Sequence, residues 1–283
     1  MANSQQEPNR ASLLGVPAEL RREIYSHVFT TDIQHTILSE WHHTFSRDIG
    51  FKSVPDLVKD EKLTIPWLNL MLTCKALAIE LRAVMMEPSF QADEQNTTYV
   101  IDLEATRGGM ALGAATWRQL PCAPVQARCI EAYYNASCGL QTWGDGGPHG
   151  ITSGLYQTLN HLVHCGPRFD MKRPLPQPMH IEELRLVVEE RGVPPREEAN
   201  THFLVRKRDA ETTMISLGSI VGQIVNTGVL RGFVDRVRVS TGEKVLNWNP
   251  AEVGEGGIPE YWNRYGFDWG TELYTRAEDS AGS

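Results

Sequence analysis

After residue 96 the apolar periodicity of this chain switches back and forth between the two-residue and the 3.6-residue repeat, and this limits the fold more than any other feature. Thr97-Thr98-Tyr99-Val100-Ile101-Asp102-Leu103 has the β-branched and aromatic content of a strand. Residues 127–136 form a second strand candidate, whose loose alternation suits burial on both faces. Residues 152–164 read as a helix with Leu155, Leu159, Leu162 and Val163 on one side and Gly166-Pro167 as a stop. A strand at 181–188, an apolar helix at 212–229 and a strand at 233–239 complete the series. This order predicts β-α-β units with right-handed crossovers and at least three neighbouring, mainly parallel strands. The strand-to-strand distances are about twice the roughly 20 to 29 residues of a leucine-rich repeat, which disfavours a regular horseshoe.

Upstream, the spacing is helical. Pro17 suits a first helical position, where its missing N–H has no intrahelical partner, and Leu20, Ile24 and Val28 recur at i, i+4 and i+8 behind it. A second helix is predicted from Pro66, with Trp67, Leu70, Met71, Cys74, Ala78, Leu81 and Met85 on one face and its end before Pro88. The expected fold class is therefore α+β: an N-terminal helical module over 11–92 with a long insertion at 29–64, then an irregular βαβαβ domain over 93–276. Polar tails at 1–10 and 277–283 are expected to be frayed.

Several function classes recede on composition. A formal net charge of -8 opposes binding to a phosphate backbone, which calls for a basic stripe. Arg206-Lys207-Arg208 is too short a basic run to change this. Residues 1–10 hold no signal-peptide apolar region and no apolar run approaches the roughly 20 residues of a membrane span, so the expectation is a cytoplasmic or nuclear protein. Cys74, Cys122, Cys129, Cys138 and Cys165 are odd in number and scattered, which reads as reduced thiols.

Candidate chemistry is sparse. Gly144, Gly146 and Gly150 precede a helix but miss the spacing of a dinucleotide-binding turn, so a loop is the expectation. His161, His164 and Cys165 offer metal-ligand types on one helical face without a fourth ligand, and a histidine at a helix end is explained by the helix dipole. No cofactor, metal or catalytic residue is expected. The segment from Trp248 to Tyr274 concentrates Trp248, Tyr261, Trp262, Tyr265, Phe267, Trp269 and Tyr274, a density that needs burial or a partner. It reads either as a clamp across an open sheet edge or as an interface, with Trp262, Tyr265 and Trp269 as candidate substrate-protein contacts.

Leu13-Leu14-Gly15-Val16-Pro17-Ala18-Glu19-Leu20-Arg21-Arg22-Glu23-Ile24-Tyr25 resembles the opening of fungal F-box-like proteins, with Val16 where leucine is usual. Leu70-Met71-Leu72-Thr73-Cys74-Lys75-Ala76-Leu77-Ala78-Ile79-Glu80 is similar to the second helix of that group, although about 35 residues separate the two where a short connection is typical. The resemblance implies that the helical module docks on a Skp-type adaptor of a cullin-RING (SCF-type) ubiquitin ligase while the remainder recruits a substrate protein. It places adaptor binding on Val16, Pro17, Leu20, Ile24, Val28, Leu70 and Leu72. The same stripe would read identically if it only closed the module's own core.

Overall fold

The structure, a computed structural model, describes residues 12–31, 33, 37–46, 50–56, 65–105, 112–120, 126–136, 148, 150–167, 174–190, 209–254, 256–263 and 267–270. Its framework is one mixed sheet: β1 (Ile37–Ser46), β2 (Gly50–Asp56), β3 (Thr98–Ala105), β4 (Leu112–Gln119), β5 (Gln126–Asn135), β6 (His180–Glu189), β7 (Val234–Thr241) and β8 (Lys244–Trp248), in the order β2-β1-β4-β3-β5-β6-β7-β8. The helices are α1 (Ala18–Phe29), α2 (Pro66–Thr73), α3 (Lys75–Met85), α4 (Pro88–Ala92), α5 (Glu94–Thr97), α6 (Gly150–Cys165), α7 (Ala210–Asn226) and α8 (Glu260–Asn263). The α+β class is as expected.

The parallel heart of the sheet is β3-β5-β6-β7, with β5 beside β3, β6 beside β5 and β7 beside β6. Burial alternates along these strands: Tyr99, Ile101 and Leu103 of β3, Ile130, Ala132 and Tyr134 of β5, and Leu184, Leu186 and Val188 of β6 are buried, while Asp102, Glu131, Tyr133 and Arg185 between them are half-buried, so the burial on both faces expected for residues 127–136 is not met. The crossovers through α6 and α7 step in the same direction across the sheet, and connections of one hand that do so deliver their helices to one face. Leu155 and Leu159 of α6 and Val221 and Ile224 of α7 accordingly meet Ile101, Ile130, Leu184 and Val237 around a shared apolar cavity. Asp209 caps α7, its carboxylate accepting from the Thr212 N–H at 2.7 Å, and this hydrogen bond holds the carboxyl below its ordinary range. Residues 227–229, expected to be helical, lie beyond the end of α7, because Gly228 adopts φ 78° and its N–H closes back on the Val225 carbonyl.

Both sheet edges are antiparallel and were not anticipated. On one side β8 folds back on β7 through Gly242-Glu243, a two-residue hairpin turn whose signal is present in the sequence. On the other side β4 pairs with β3, and the segment read as an insertion contributes the β1-β2 hairpin, whose β1 pairs with β4. Gly113, Ala114 and Ala115 give β4 little strand propensity, so its position comes from pairing rather than from local preference.

The predicted second helix is two helices. Cys74 is extended at φ -159° and ψ 158°, and the Thr73 hydroxyl donates back to the Leu70 carbonyl at 2.7 Å, serving a carbonyl at the helix end. Pro66 stands at the start of α2 as expected, whereas Pro17 lies one position before α1, its carbonyl accepting the first helical bond from Arg21 N at 3.0 Å. The helical module and the sheet share one hydrophobic core. Phe29 packs edge-on to Phe90 at 4.7 Å and beside Trp67 at 6.5 Å, and the Trp67 indole N–H donates to the Leu120 carbonyl just past β4. Residues 1–10, 107–109, 144–147, 206–208 and 277–283, and Cys122 and Cys138, for which the sequence carries expectations, lie outside the described residues.

Candidate functional site

Helix α1 carries two apolar stripes about 100° apart, and the fold buries only one of them. Tyr25 and Phe29 are buried, and Val28 packs partly against the core. The other stripe is largely outward: Leu20 is 50% exposed and Ile24 37%. Of the two readings open for it, closing the module's own core and facing a partner, the first does not hold for Leu20 and Ile24. Aromatic rings remove more apolar surface from water than a leucine and an isoleucine do, and the core took the larger pair.

Arg21 fixes that orientation. Its Nε donates to Glu80 of α3 at 3.0 Å and its Nη1 to the Val16 and Leu14 carbonyls, which ties the turn at 13–16 to both helices. Arg22 reaches Glu87 at 2.7 Å. These contacts bring α1 against α3 while Leu20 and Ile24 stay in solvent. The same module exposes Leu72 of α2, at 75%, together with Leu14, Ile79 and Met86. Of the residues named for adaptor binding, Pro17, Leu20, Ile24 and Leu72 are exposed, Val16 is half-buried, and Val28 and Leu70 are partly buried against the core. Ile79, Leu14 and Met86 were missed, because an apolar residue next to other apolar residues gives no sign of which side it faces.

The aromatic C-terminal segment is turned inward. Trp262, named as a substrate-protein contact, is only 2% exposed, its ring 4.4 Å from that of the fully buried Phe267. It is not available to a partner. Trp269 is half-buried against Tyr156 and His164 of α6 and against Phe233, with ring separations of 5.3, 5.6 and 6.3 Å. Tyr265 lies outside the described residues. Two rows of α6 explain the arrangement: Leu155, Leu159, Leu162 and Val163 are the expected apolar row, while Tyr156, Asn160 and His164, at i, i+4 and i+8, receive the C-terminal segment. Asn160 donates to the Gly270 carbonyl at 3.3 Å and accepts from the Gly270 N–H at 2.8 Å. The Tyr156 hydroxyl donates to the Phe267 carbonyl at 3.4 Å.

His161, His164 and Cys165 are buried, and among the described residues no group of three or more histidine, cysteine, aspartate or glutamate side chains could hold a metal ion. His164 does not act as a cation on the helix dipole either, since burial lowers its pKa below the ordinary 6.5. A depressed folded-state value means that the unfolded chain takes up the proton first as pH falls. Folding stability is therefore expected to decline as pH drops below about 6.5, to level off once the folded form also protonates, and to lose this component in His164→Phe. Urea unfolding at a series of pH values checks it; an unchanged pH dependence in the variant would contradict the assignment. Cys129 is also buried, and desolvation pushes its thiol up to about 12, the behaviour of a packing residue rather than a nucleophile.

Among the described residues no helix is long and apolar enough to cross a membrane. No family model, curated protein or solved structure matches the chain. The exposed apolar face of the helical module and the α6 row under the C-terminal segment are thus characterised by their own chemistry.

Proposed function

We propose that this chain is an F-box-like interaction protein that docks on a Skp-type adaptor through its helical module and recruits a substrate protein through the remainder, with no chemistry of its own. The observation that carries the reading is the outward stripe of Leu20 and Ile24 on α1, accompanied by exposed Leu72 and Ile79 on α2 and α3. Apolar side chains at i, i+4 spacing left in water on linked helices suit a helix-in-groove or helix-on-helix contact. The Arg21–Glu80 pair supports it by holding the module in shape without using those side chains. The resemblance of residues 13–25 and 70–80 to the F-box opening supplies the class of partner.

Leu20→Asp combined with Ile24→Asp is expected to weaken adaptor binding at least about tenfold, since two apolar contacts at the centre of an interface are replaced by desolvated charges. Stability should fall by only about 1–2 kcal/mol, because both side chains are partly exposed and neither belongs to the buried core. Pull-down and titration with purified adaptor, beside urea unfolding, measure the two effects. Failure of the intact protein to bind the adaptor would overturn the reading and leave a non-catalytic interaction protein that does not bind it.

A further inference from the structure

We infer that the Tyr156-Asn160-His164 row of α6, with Phe233, is a receptor for an extended peptide, occupied in cis by the chain's own Phe267-Asp268-Trp269-Gly270. Its ligand in trans would be a protein segment of the form aromatic-x-Trp-Gly. This supplies a partner class for the recruiting half of the proposed function; the test below uses no adaptor, so the two can fail separately.

The case rests on how the segment is held. The polar contacts from α6 go to the segment's main chain: Tyr156 to the Phe267 carbonyl, and Asn160 to both the N–H and the carbonyl of Gly270. Side-chain recognition is separate. The Phe267 ring lies 4.9 Å from Tyr156, and Trp269 sits among Tyr156, His164 and Phe233. Main-chain hydrogen bonds for affinity and side-chain pockets at alternate residues for specificity are the division of labour of extended-peptide recognition. Asn160 is itself fully buried, so the donor and acceptor it presents have been committed to whatever peptide occupies this row.

The cis occupant also fits imperfectly. His164 Nε2 and the Trp269 indole N–H are buried with no hydrogen-bond partner among the described residues. Buried polar atoms left unpaired carry a desolvation penalty, which weakens the hold of the row on its cis occupant. The cis segment keeps its seat because a tether confers a high effective concentration. Gly270 at φ 109° shows that the seated conformation requires glycine at the last position, which enters the motif for that reason.

The experiment is direct binding of a fluorescent synthetic peptide with the sequence of residues 258–270 to the full-length chain. The intact protein should bind it weakly, because the cis segment competes. Trp269→Ala in the chain loosens the cis seat and is expected to raise affinity for the peptide at least about tenfold. Adding Asn160→Leu should abolish that gain, and a peptide in which tryptophan at the Trp269 position is alanine should not bind. If Trp269→Ala does not fold, Gly270→Pro, which removes the N–H that Asn160 accepts from, replaces it. A folded variant that binds no better than the intact protein, binding indifferent to Asn160, or failure of both variants to fold would each overturn the inference and leave the segment as core.

Discussion

Trp67→Ala is expected to cost about 4–6 kcal/mol of folding stability, from the loss of a large buried side chain and the stranding of a carbonyl acceptor. Trp67 is buried at the junction of the helical module and the sheet, tilted beside Phe29 and donating to the Leu120 carbonyl. For a domain of ordinary stability, roughly 5–15 kcal/mol, that approaches the whole margin. The loss should be local before it is global. Hydrogen exchange in α1 and α2 should accelerate at denaturant concentrations where β5, β6 and β7 remain protected. Urea titration gives the magnitude and exchange the distribution. A loss under about 1.5 kcal/mol, with α1 unaffected, would show that the module does not depend on this contact.

Gly256→Val is the second large effect. A Cβ at Gly256 would stand 2.5 Å from the Asn226 carbonyl oxygen, at the end of α7. A side-chain neighbour could rotate away, but this one is backbone at a helix terminus, where the Gly228 N–H and the Thr227 N–H already fix the turn. The chain after Gly256 must therefore lift away from α7, at an expected cost of about 3 kcal/mol. Because Trp262 and Phe267 follow within the same run, their burial should loosen with it, and indole fluorescence should shift to the red at a lower urea concentration than in the parent. Gly254→Val provides the control, since a Cβ there meets nothing within 4 Å. Equal effects of the two substitutions would refute the close-approach argument.

Taken together, these expectations locate the stability of the chain at two junctions, α2 against the end of β4 and the C-terminal segment against α6 and α7. The proposed adaptor face lies on the outer side of the first junction. Leu20 and Ile24 are consequently free to be changed to charge without touching Phe29 or Trp67, which is what makes binding and folding separable in this protein.

The parallel heart of the sheet was legible in the sequence because buried strands and crossover helices are written in local periodicity. The predicted strands at 97–103, 127–136, 181–188 and 233–239 locate β3, β5, β6 and β7 to within one or two residues at each end, and Leu155, Leu159 and Leu162 of α6 face the sheet as their spacing requires. Apolar helix spacing likewise announced α1, α2 and α3, although the extended Cys74 between the last two did not show in it. Three matters were decided by tertiary contacts alone. The Gly-Ala-rich β4 and the β1-β2 hairpin are strands by virtue of pairing, which a single segment cannot express. The orientation of α1 was a competition between two apolar stripes, won by Tyr25 and Phe29 because Phe90 and Trp67 converge where the larger rings bury most surface. The inward turn of Phe267 and Trp269 depends on Tyr156, Asn160 and His164, side chains about 110 positions away in sequence that become neighbours only when α6 is laid across the sheet.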